Sequence, residues 1–348
     1  MKGNEALAQA AIEAGCHHFF GYPITPQTEV AAYMAKQMPK LGGTYLQAES
    51  EIAAINMVLG AASAGVRAMT SSSSPGISLK SEGISYIAGS DLPCLIINVQ
   101  RAGPGLGGIQ PSQADYFQAT KANGHGDFRV LVLAPSTIQE MVDLVFEAFD
   151  LADTYRMPAM ILADGMLGQM MEPVTIKKPE GKKLPEKTWA TTGHQNKRPH
   201  NVVNSLYLKP DELERVVKDR YKRYETIKEK EVKCEEYLCD DADYIVVAYG
   251  ATSRIVKSAV NRARAEGIRA GMIRPITLWP FPAKAIRAKA ETAKAFLSVE
   301  MSMGQMVDDV KLAVEHKRPV YFFGRTGGII PNPDEVLAEI KKMAGGVQ

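Results

Sequence analysis

Three short segments of the chain carry side chains that could act together on a small carboxylate. The first, residues 21–26, is a strand end that runs into a loop bracketed by two prolines and carrying the hydroxyl of Thr25. The second places the carboxylate of Glu51 at the start of a predicted helix, and the third ends an apolar strand on the guanidinium of Arg101. If the strands are parallel neighbours, all three meet at one edge of a sheet, where open α/β folds bind ligands. A hydroxyl, an acid and an arginine at that edge could hold a carboxylate substrate against a heterocyclic cofactor.

An alternation of strands and helices positions these segments. Up to about residue 170 the pattern predicts strands, each followed by a helix, and the nearly continuous apolar run at 93–100 is typical of a buried parallel strand. Such alternation predicts a doubly wound parallel sheet. It returns after Asp241, with strands expected at 244–249 and 295–299. We therefore expect an α/β fold with a second, smaller α/β domain.

Between the two domains the pattern dissolves. We predict a first domain over residues 1–172, a connector over 173–240 and a second domain over 241–348. The stretch 177–183 is polar and contains a proline, a composition common at domain boundaries. A charged helix follows Pro210 within the connector.

Composition narrows the functional class. The 348 residues are 45% apolar and 23% charged, and the net charge of +2 gives no electrostatic case for nucleic acid or an anionic membrane. No apolar run approaches the roughly 20 residues of a membrane span, and the N-terminus enters an amphipathic pattern without a signal peptide. We expect a cytoplasmic protein.

The four cysteines show no spacing suited to a metal cluster. Cys16 and Cys94 lie in apolar surroundings, which predicts small core residues, and Cys234 and Cys239 lie in a charged segment. Iron–sulfur and structural zinc sites usually need four ligands at tight spacings, often in CxxC pairs. We therefore expect no cluster on this chain.

Three further motifs leave alternatives open. Residues 103–108 satisfy G-x-G-x-x-G, but Pro111 follows too soon for the last glycine to sit inside a long helix, which disfavours a dinucleotide site. Two interpretations of this segment stay open, a mobile loop over a ligand and a plain surface turn. The serines at 71–74 could bind an anion at a helix start or only cap it. His125 and Asp127 favour a structural turn.

Taken together, the motifs resemble the alpha subunit of 2-oxoacid:ferredoxin oxidoreductases. The resemblance covers almost the whole chain outside the connector. The opening residues 1–6 and the compact length resemble most the branched-chain, or 2-oxoisovalerate, type. The segments that carry the resemblance are, in chain order, 21–26, 49–51, 74–79, 98–104, 125–127 and 324–328.

The resemblance implies a thiamine diphosphate enzyme whose cofactor site is split between chains. The first domain would be the pyrimidine-binding domain and the second a transketolase C-terminal-like domain. In the family, the acid matching Glu51 hydrogen-bonds N1′ of the aminopyrimidine and favours the imino tautomer that deprotonates the thiazolium. The groups matching Thr25 and Arg101 receive the substrate carboxylate. The cofactor contacts assigned to this chain are Glu51, Tyr22, Pro23 and Ile24.

The same resemblance implies partner chains. The Gly-Asp-Gly start and later Asn that hold Mg²⁺ in the family are missing, and Ala163–Gly165 is the nearest segment. A beta subunit would then bind the diphosphate and Mg²⁺. A ferredoxin-like subunit would carry [4Fe-4S] clusters, and a gamma subunit and ferredoxin itself would complete the system. Leu106, where oxoglutarate-type relatives carry a serine-bearing loop, predicts a less polar pocket wall.

The implied reaction is oxidative decarboxylation of a 2-oxoacid, 2-oxoisovalerate for the branched-chain type. CoA is converted to acyl-CoA, CO2 is released and ferredoxin is reduced. The alternatives are a 2-oxoglutarate- or pyruvate-specific member, a cluster-free transketolase or E1-type component, and a non-catalytic nucleotide-binding or regulatory module.

Overall fold

The computed structural model describes residues 1–121, 123–177 and 183–345. Most of the predicted boundary stretch, residues 178–182, lies outside the described residues. The described chain forms a seven-stranded and a five-stranded sheet with helices between the strands. No helix in these ranges is long and apolar enough to cross a membrane.

The elements follow the predicted alternation. The strands are β1 His18–Gly21, β2 Thr44–Gln47, β3 Ala68–Ser72, β4 Cys94–Gln100, β5 Leu131–Leu133, β6 Pro158–Asp164, β7 Cys234–Tyr237, β8 Tyr244–Val247, β9 Ala270–Pro275, β10 Thr277–Trp279, β11 Ala295–Glu300 and β12 Val320–Gly324. The α-helices are α1 Gly3–Glu13, α2 Thr28–Gln37, α3 Glu51–Ser63, α4 Ser74–Gly89, α5 Tyr116–Thr120, α6 Ile138–Tyr155, α7 Gly165–Gln169, α8 Pro210–Lys230, α9 Thr252–Ala265, α10 Ala283–Ala290, α11 Met306–Val314 and α12 Pro333–Gly345.

The first sheet has the order β10-β5-β6-β4-β3-β1-β2. Its central strands β3, β4 and β6 are buried along their whole length, as expected for parallel strands covered on both faces. The chain moves one way across the sheet from β1 to β2 and from β5 to β6, and the opposite way from β2 through β3 to β4. Right-handed crossovers therefore place α2 and α6 on one face and α3 and α4 on the other. The direction changes between β1 and β3, which is the topological switch point where such folds bind ligands.

One edge of this sheet differs from the sequence prediction. Strand β10 pairs antiparallel with β5, with Thr277 opposite Leu133. The first sheet is therefore mixed, and a segment predicted to belong to the second domain completes it. Mixed sheets with an antiparallel edge strand are common among large α/β sheets.

The second sheet has the order β12-β11-β8-β9-β7. Strands β12, β11, β8 and β9 are parallel, and β7 pairs antiparallel with β9. Strand β7 lies within the predicted connector but belongs to this sheet. The domain division at 172 and 240 stays a prediction.

Helix α8 is the charged helix expected after Pro210. Its buried residues include Tyr224 and Ile227 in the second half, whereas Leu213 near its start is exposed. Arg220 and Arg223 both donate to the Asp91 carboxylate just after the end of α4. These ion pairs and the apolar residues fix the helix across the first domain.

Candidate active site

The carboxyl ends of β1, β3, β4 and β6 lie at one edge of the first sheet, because these strands are parallel neighbours. The loop after β1, the start of α4 and the loop after β4 therefore meet there. Arg101, directly after β4, reaches the loop after β1 and donates from Nη1 to the carbonyl oxygen of Thr25 at 3.0 Å. The structure thus brings together two of the three predicted segments by a direct contact.

The guanidinium of Arg101 is held by hydrogen bonds that engage only some of its N–H donors. Its Nη2 donates to the carbonyl oxygen of Leu106 at 3.1 Å, and the residue is 8% exposed. Its Nε is buried and has no hydrogen-bond partner within the described chain. A guanidinium has five N–H donors in a planar fork, so several remain for an anionic ligand.

A buried network fixes the backbone of Arg101. The amide nitrogen of Arg101 donates to Oγ of Ser74 at 3.0 Å, and that hydroxyl donates to Oδ2 of Asp115 at 2.6 Å. Asn98 also donates to Asp115, at 2.9 Å, and burial raises the pKa of Asp115. The sequence reasoning did not identify Asp115, and it placed Asn98 and Gln100 in the segment 98–104 without giving either a role. The signal available was two amide side chains, Asn98 and Gln100, within an otherwise apolar buried strand.

Glu51 is the first residue of α3, where a carboxylate is favourable. Ser50 caps the helix and accepts a hydrogen bond from the amide of Ala53 at 3.1 Å. Glu51 is 5% exposed, and its carboxylate makes no hydrogen bond or ion pair among the described residues. A buried carboxylate without a partner is costly, so this side chain is suited to bind a group from outside the chain.

Gly76 leaves room for the Glu51 carboxylate. A β-carbon placed on Gly76 would stand 2.7 Å from Oε1 of Glu51 and 2.1 Å from Oγ of Ser72. Any side chain at this position would therefore collide with both oxygens. The approach of Glu51 and Ser72 to the start of α4 explains why a glycine is needed there.

The serines at the end of β3 are more than helix caps. Ser73 occupies the N-cap position of α4 but makes no capping hydrogen bond through its side chain. The hydroxyls of Ser72 and Ser73 are buried without a partner in the described chain, whereas Ser71 donates to Oε1 of Gln27 at 2.5 Å. Ser73 therefore does not cap α4 through its side chain, and two buried hydroxyls directly before α4 are left for a ligand.

The loop after β1 is anchored by Gln27. Its side-chain amide donates to the carbonyl oxygen of Tyr22 at 3.2 Å, and its backbone amide donates to that of Ile24 at 3.1 Å. Within it, Tyr22 and Ile24 are half-buried, while Pro23 and Thr25 are exposed. The hydroxyl of Thr25 makes no hydrogen bond among the described residues, so it is available to a ligand. The loop therefore presents Thr25 from a fixed backbone.

The glycine-rich segment 103–108 forms an exposed loop and not the start of a helix. Gly107 adopts φ 57°, and a β-carbon there would stand 2.0 Å from the carbonyl oxygen of Ala102. The side chain of Leu106 is 85% exposed. Leu106 therefore lines no pocket among the residues that the structure describes, and the loop geometry does not match a dinucleotide fingerprint.

Of two further motifs, the first lies away from this edge, and the second lies at it but serves as a helix cap. His125 and Asp127 lie in the loop before β5, at the opposite end of the sheet, where His125 Nδ1 contacts Ser85 Oγ at 3.3 Å. Asp164 ends β6 and caps α7, accepting from the amides of Met166 and Leu167 at 2.8 and 3.1 Å. Burial raises the pKa of Asp164 to about 6.

Cys16 and Cys94 are core residues, as the sequence predicts, and Cys239 is buried as well. Cys16 and Cys94 are buried, and burial raises the pKa of each thiol to about 12. Cys239 is also buried, while Cys234 is half-buried on β7. None of these four sulfurs lies at the candidate site.

Two successive parts of the chain match families of known proteins. Residues 9–238 match the thiamine diphosphate-binding domain of pyruvate flavodoxin/ferredoxin oxidoreductase, and residues 242–336 match core domain II of pyruvate:ferredoxin oxidoreductase. The ketoisovalerate oxidoreductase subunit VorB of Methanothermobacter marburgensis is 49% identical over 99% of this chain and 97% of its own length. The 2-oxoglutarate synthase subunit KorA of the same organism is 38% identical over 99% of this chain and 98% of its own length.

Among solved structures, a 2-oxoglutarate:ferredoxin oxidoreductase from Magnetococcus marinus superposes with a TM-score of 0.85 at 28% identity. The match covers 98% of this chain and 64% of that chain, whose structure has 2-oxoglutarate, coenzyme A and succinyl-CoA bound. An inactive split-gene transketolase superposes with a TM-score of 0.59 at 14% identity, over 98% of this chain and 97% of the other, which is a likeness of fold alone.

Proposed function

Because this chain belongs to the pyruvate flavodoxin/ferredoxin oxidoreductase family, we propose that it is the alpha subunit of a 2-oxoisovalerate:ferredoxin oxidoreductase. The enzyme decarboxylates the 2-oxoacid oxidatively, transfers the acyl group to CoA and reduces ferredoxin. One observation carries the choice of substrate. Identity is 49% to the ketoisovalerate subunit but 38% to the 2-oxoglutarate subunit of the same organism, over nearly the whole chain in each case.

The residues at the sheet edge fit the aminopyrimidine of thiamine diphosphate. Glu51 offers a nearly buried carboxylate without a protein partner, and Gly76 removes the side chain that would block it. Ser72 and Ser73 add buried hydroxyls that lack partners. When bound, thiamine diphosphate supplies the electron sink that decarboxylation requires. The Glu51 carboxylate hydrogen-bonds the ring nitrogen and manages its proton, a contribution typically worth about 10²–10⁴-fold.

The loop after β1 borders the same site. It contains Tyr22, Pro23, Ile24 and Thr25. Their backbone is fixed, because Gln27 bonds the Tyr22 and Ile24 carbonyl oxygens. Tyr22, Pro23 and Ile24 pack against the cofactor ring in this proposal, and the Thr25 hydroxyl faces the substrate.

Arg101 and Thr25 receive the substrate carboxylate. The Nε of Arg101 is buried and without a partner, and the Thr25 hydroxyl is free within the described chain. A charge-assisted hydrogen bond to such a carboxylate contributes roughly 1.5–3 kcal/mol. Because the carboxylate leaves as CO2, binding it tightly does not itself speed the reaction. The gain comes from placing the substrate carbonyl correctly.

The proposed partners are those that the family resemblance implies, and the names of the relatives as subunits support a multi-chain enzyme. A beta subunit binds the diphosphate and Mg²⁺, and a ferredoxin-like subunit carries the [4Fe-4S] clusters. A gamma subunit, CoA and ferredoxin complete the proposed system. The relative of known structure was solved with coenzyme A bound, which supports CoA as a substrate. Cytoplasmic location stays a prediction from the sequence.

The test is anaerobic purification of the tagged chain from its own host, followed by assay of viologen reduction with CoA. The acids compared are pyruvate, 2-oxoglutarate, 2-oxoisovalerate and indolepyruvate. A brown multi-chain complex that prefers 2-oxoisovalerate supports the proposal. Preference for 2-oxoglutarate would keep the family and overturn the substrate. A colourless chain that is inactive on every acid, even with thiamine diphosphate and Mg²⁺, would overturn the proposed function.

A further inference from the structure

A lysine is buried directly behind Glu51. Lys80 lies on α4, is 0% exposed, and donates from Nζ to the backbone carbonyl oxygen of Glu51 at 3.3 Å. One turn further along both helices, a β-carbon placed on Gly83 would stand 2.4 Å from Cγ2 of Ile55. The two helices are therefore in close contact here, and the lysine side chain is enclosed between them beside the first residue of α3.

The surroundings of Lys80 contain little charge other than Glu51. Glu51 is the sole ionisable side chain of α3, and β4 carries no acidic or basic residue. Strand β6, which also packs on α4, ends in Asp164, and α4 itself adds the exposed Glu82 and Tyr86. No carboxylate in the described chain lies within ion-pair distance of the Lys80 ammonium. Burial lowers the pKa of Lys80 to about 8, and the nearby Glu51 charge opposes that shift.

A buried ammonium in this position costs stability. A methionine has a similar length and would fill the same space without desolvating a charge. The hydrogen bond to the Glu51 carbonyl also does not require a cation. The charge itself is therefore the property of Lys80 that packing does not explain. The charged group that acts on the Lys80 pKa is Glu51, the candidate cofactor ligand.

We propose that Lys80 is a positioning residue for Glu51, whose buried ammonium is the internal counter-charge of the Glu51 carboxylate. When a bound ring excludes water from the site, Glu51 loses its remaining hydration and needs a compensating charge. Lys80 supplies that charge from the protein side and fixes the backbone from which Glu51 projects. This inference rests on the proposed role of Glu51 in holding thiamine diphosphate.

The decisive experiment is a double-mutant cycle on thiamine diphosphate affinity. Calorimetric titration would be made on the assembled complex freed of cofactor, for wild type, Lys80→Met, Glu51→Gln and the double variant. We expect Lys80→Met to weaken binding roughly tenfold in the wild-type background and less than about twofold in the Glu51→Gln background, since coupled neighbours are not additive. Lys187→Met is the matched control, because Lys187 packs at the other end of α3 beside Gly65 and pairs with Asp153.

A pH series separates charge from packing. Wild-type affinity should fall as pH rises through about 8, where Lys80 loses its proton. Lys80→Arg should keep its affinity above that pH because a guanidinium stays charged, and Lys80→Met should show no such fall. Lys80→Met should also melt no lower than wild type, which shows that it folds.

Two outcomes overturn the inference and are distinguishable. Equal losses of affinity on adding Lys80→Met to wild type and to Glu51→Gln would make Lys80 a packing residue and leave the proposed function intact. If Glu51→Gln alone changes neither affinity nor turnover, the role of Glu51 fails and the inference fails with it.

Discussion

The guanidinium of Arg101 donates to the carbonyl oxygen of Thr25 across 3.0 Å, although 76 positions separate the two residues in the chain. They follow strands β4 and β1, which are separated in the sheet by β3. The contact therefore ties two loops together across the topological switch point. It uses the backbone of Thr25 and leaves the hydroxyl free, so the two proposed substrate contacts can be changed separately.

Replacing Arg101 should damage substrate binding more than cofactor binding. We expect Arg101→Leu to raise KM for 2-oxoisovalerate about 10- to 100-fold, the loss of one charge-assisted hydrogen bond. Arg101→Lys keeps the charge but cannot reproduce a fork that reaches two carbonyl oxygens, so it should recover only part of the loss. Viologen-reduction kinetics and thiamine diphosphate affinity are measured together, with Arg254→Leu, a surface pair to Glu172, as control. Loss of cofactor at unchanged KM would assign Arg101 to the cofactor.

Replacing Thr25 should affect the substrate without loosening the loop. In Thr25→Val the carbonyl oxygen that accepts from Arg101 is retained, so we expect no change in melting temperature. Removal of one hydrogen bond to the substrate carboxylate should lower kcat/KM roughly 10- to 100-fold. The matched control is Thr28→Val, whose hydroxyl donates to the Ile24 carbonyl oxygen in the same loop. Unchanged kcat and KM in Thr25→Val would make the hydroxyl incidental.

Replacing Glu51 should abolish turnover and leave the complex assembled. Glu51→Gln keeps the shape of the side chain but removes the charge and the capacity to manage the ring proton. We expect a loss of about 10²–10⁴-fold in kcat, measured beside size-exclusion chromatography of the complex. Glu82→Gln, an exposed acid on α4, should behave as wild type. Wild-type turnover in Glu51→Gln would remove Glu51 from the mechanism.

The sequence predicts which residues lie at the edge of the sheet better than it predicts the buried hydrogen bonds that support them. Thr25, Glu51 and Arg101 could be placed together because the ends of parallel strands meet at one edge, a rule that needs only strand positions. Asp115 and its bond to Ser74 span 41 residues and join a loop to a helix start, and no local pattern specifies that contact. The pairing of β10 with β5 is likewise non-local. Lys80 was hidden because a lysine within a helix is usually exposed.

Asp164 ends β6 and is 2% exposed. Burial raises its pKa in the folded chain from 3.8 to about 6. Between these values the folded state holds the proton more tightly than the unfolded state, so ionisation costs stability as pH rises and the full cost is present above pH 6. A shift of this size corresponds to about 3 kcal/mol.

Asp164→Asn removes this titration and can still cap α7 through its amide oxygen. The variant and the wild type can differ in stability at low pH. As pH rises from about 4 to 6, the stability of the variant should increase relative to that of the wild type, and above pH 6 the difference in stability should stay constant. Melting temperatures of the assembled complex across this range measure it, with the exposed Asp211→Asn as control. If the difference in melting temperature does not depend on pH, ionising Asp164 does not destabilise the fold. Its hydrogen bonds from the amides of Met166 and Leu167 would then outweigh the burial of its charge.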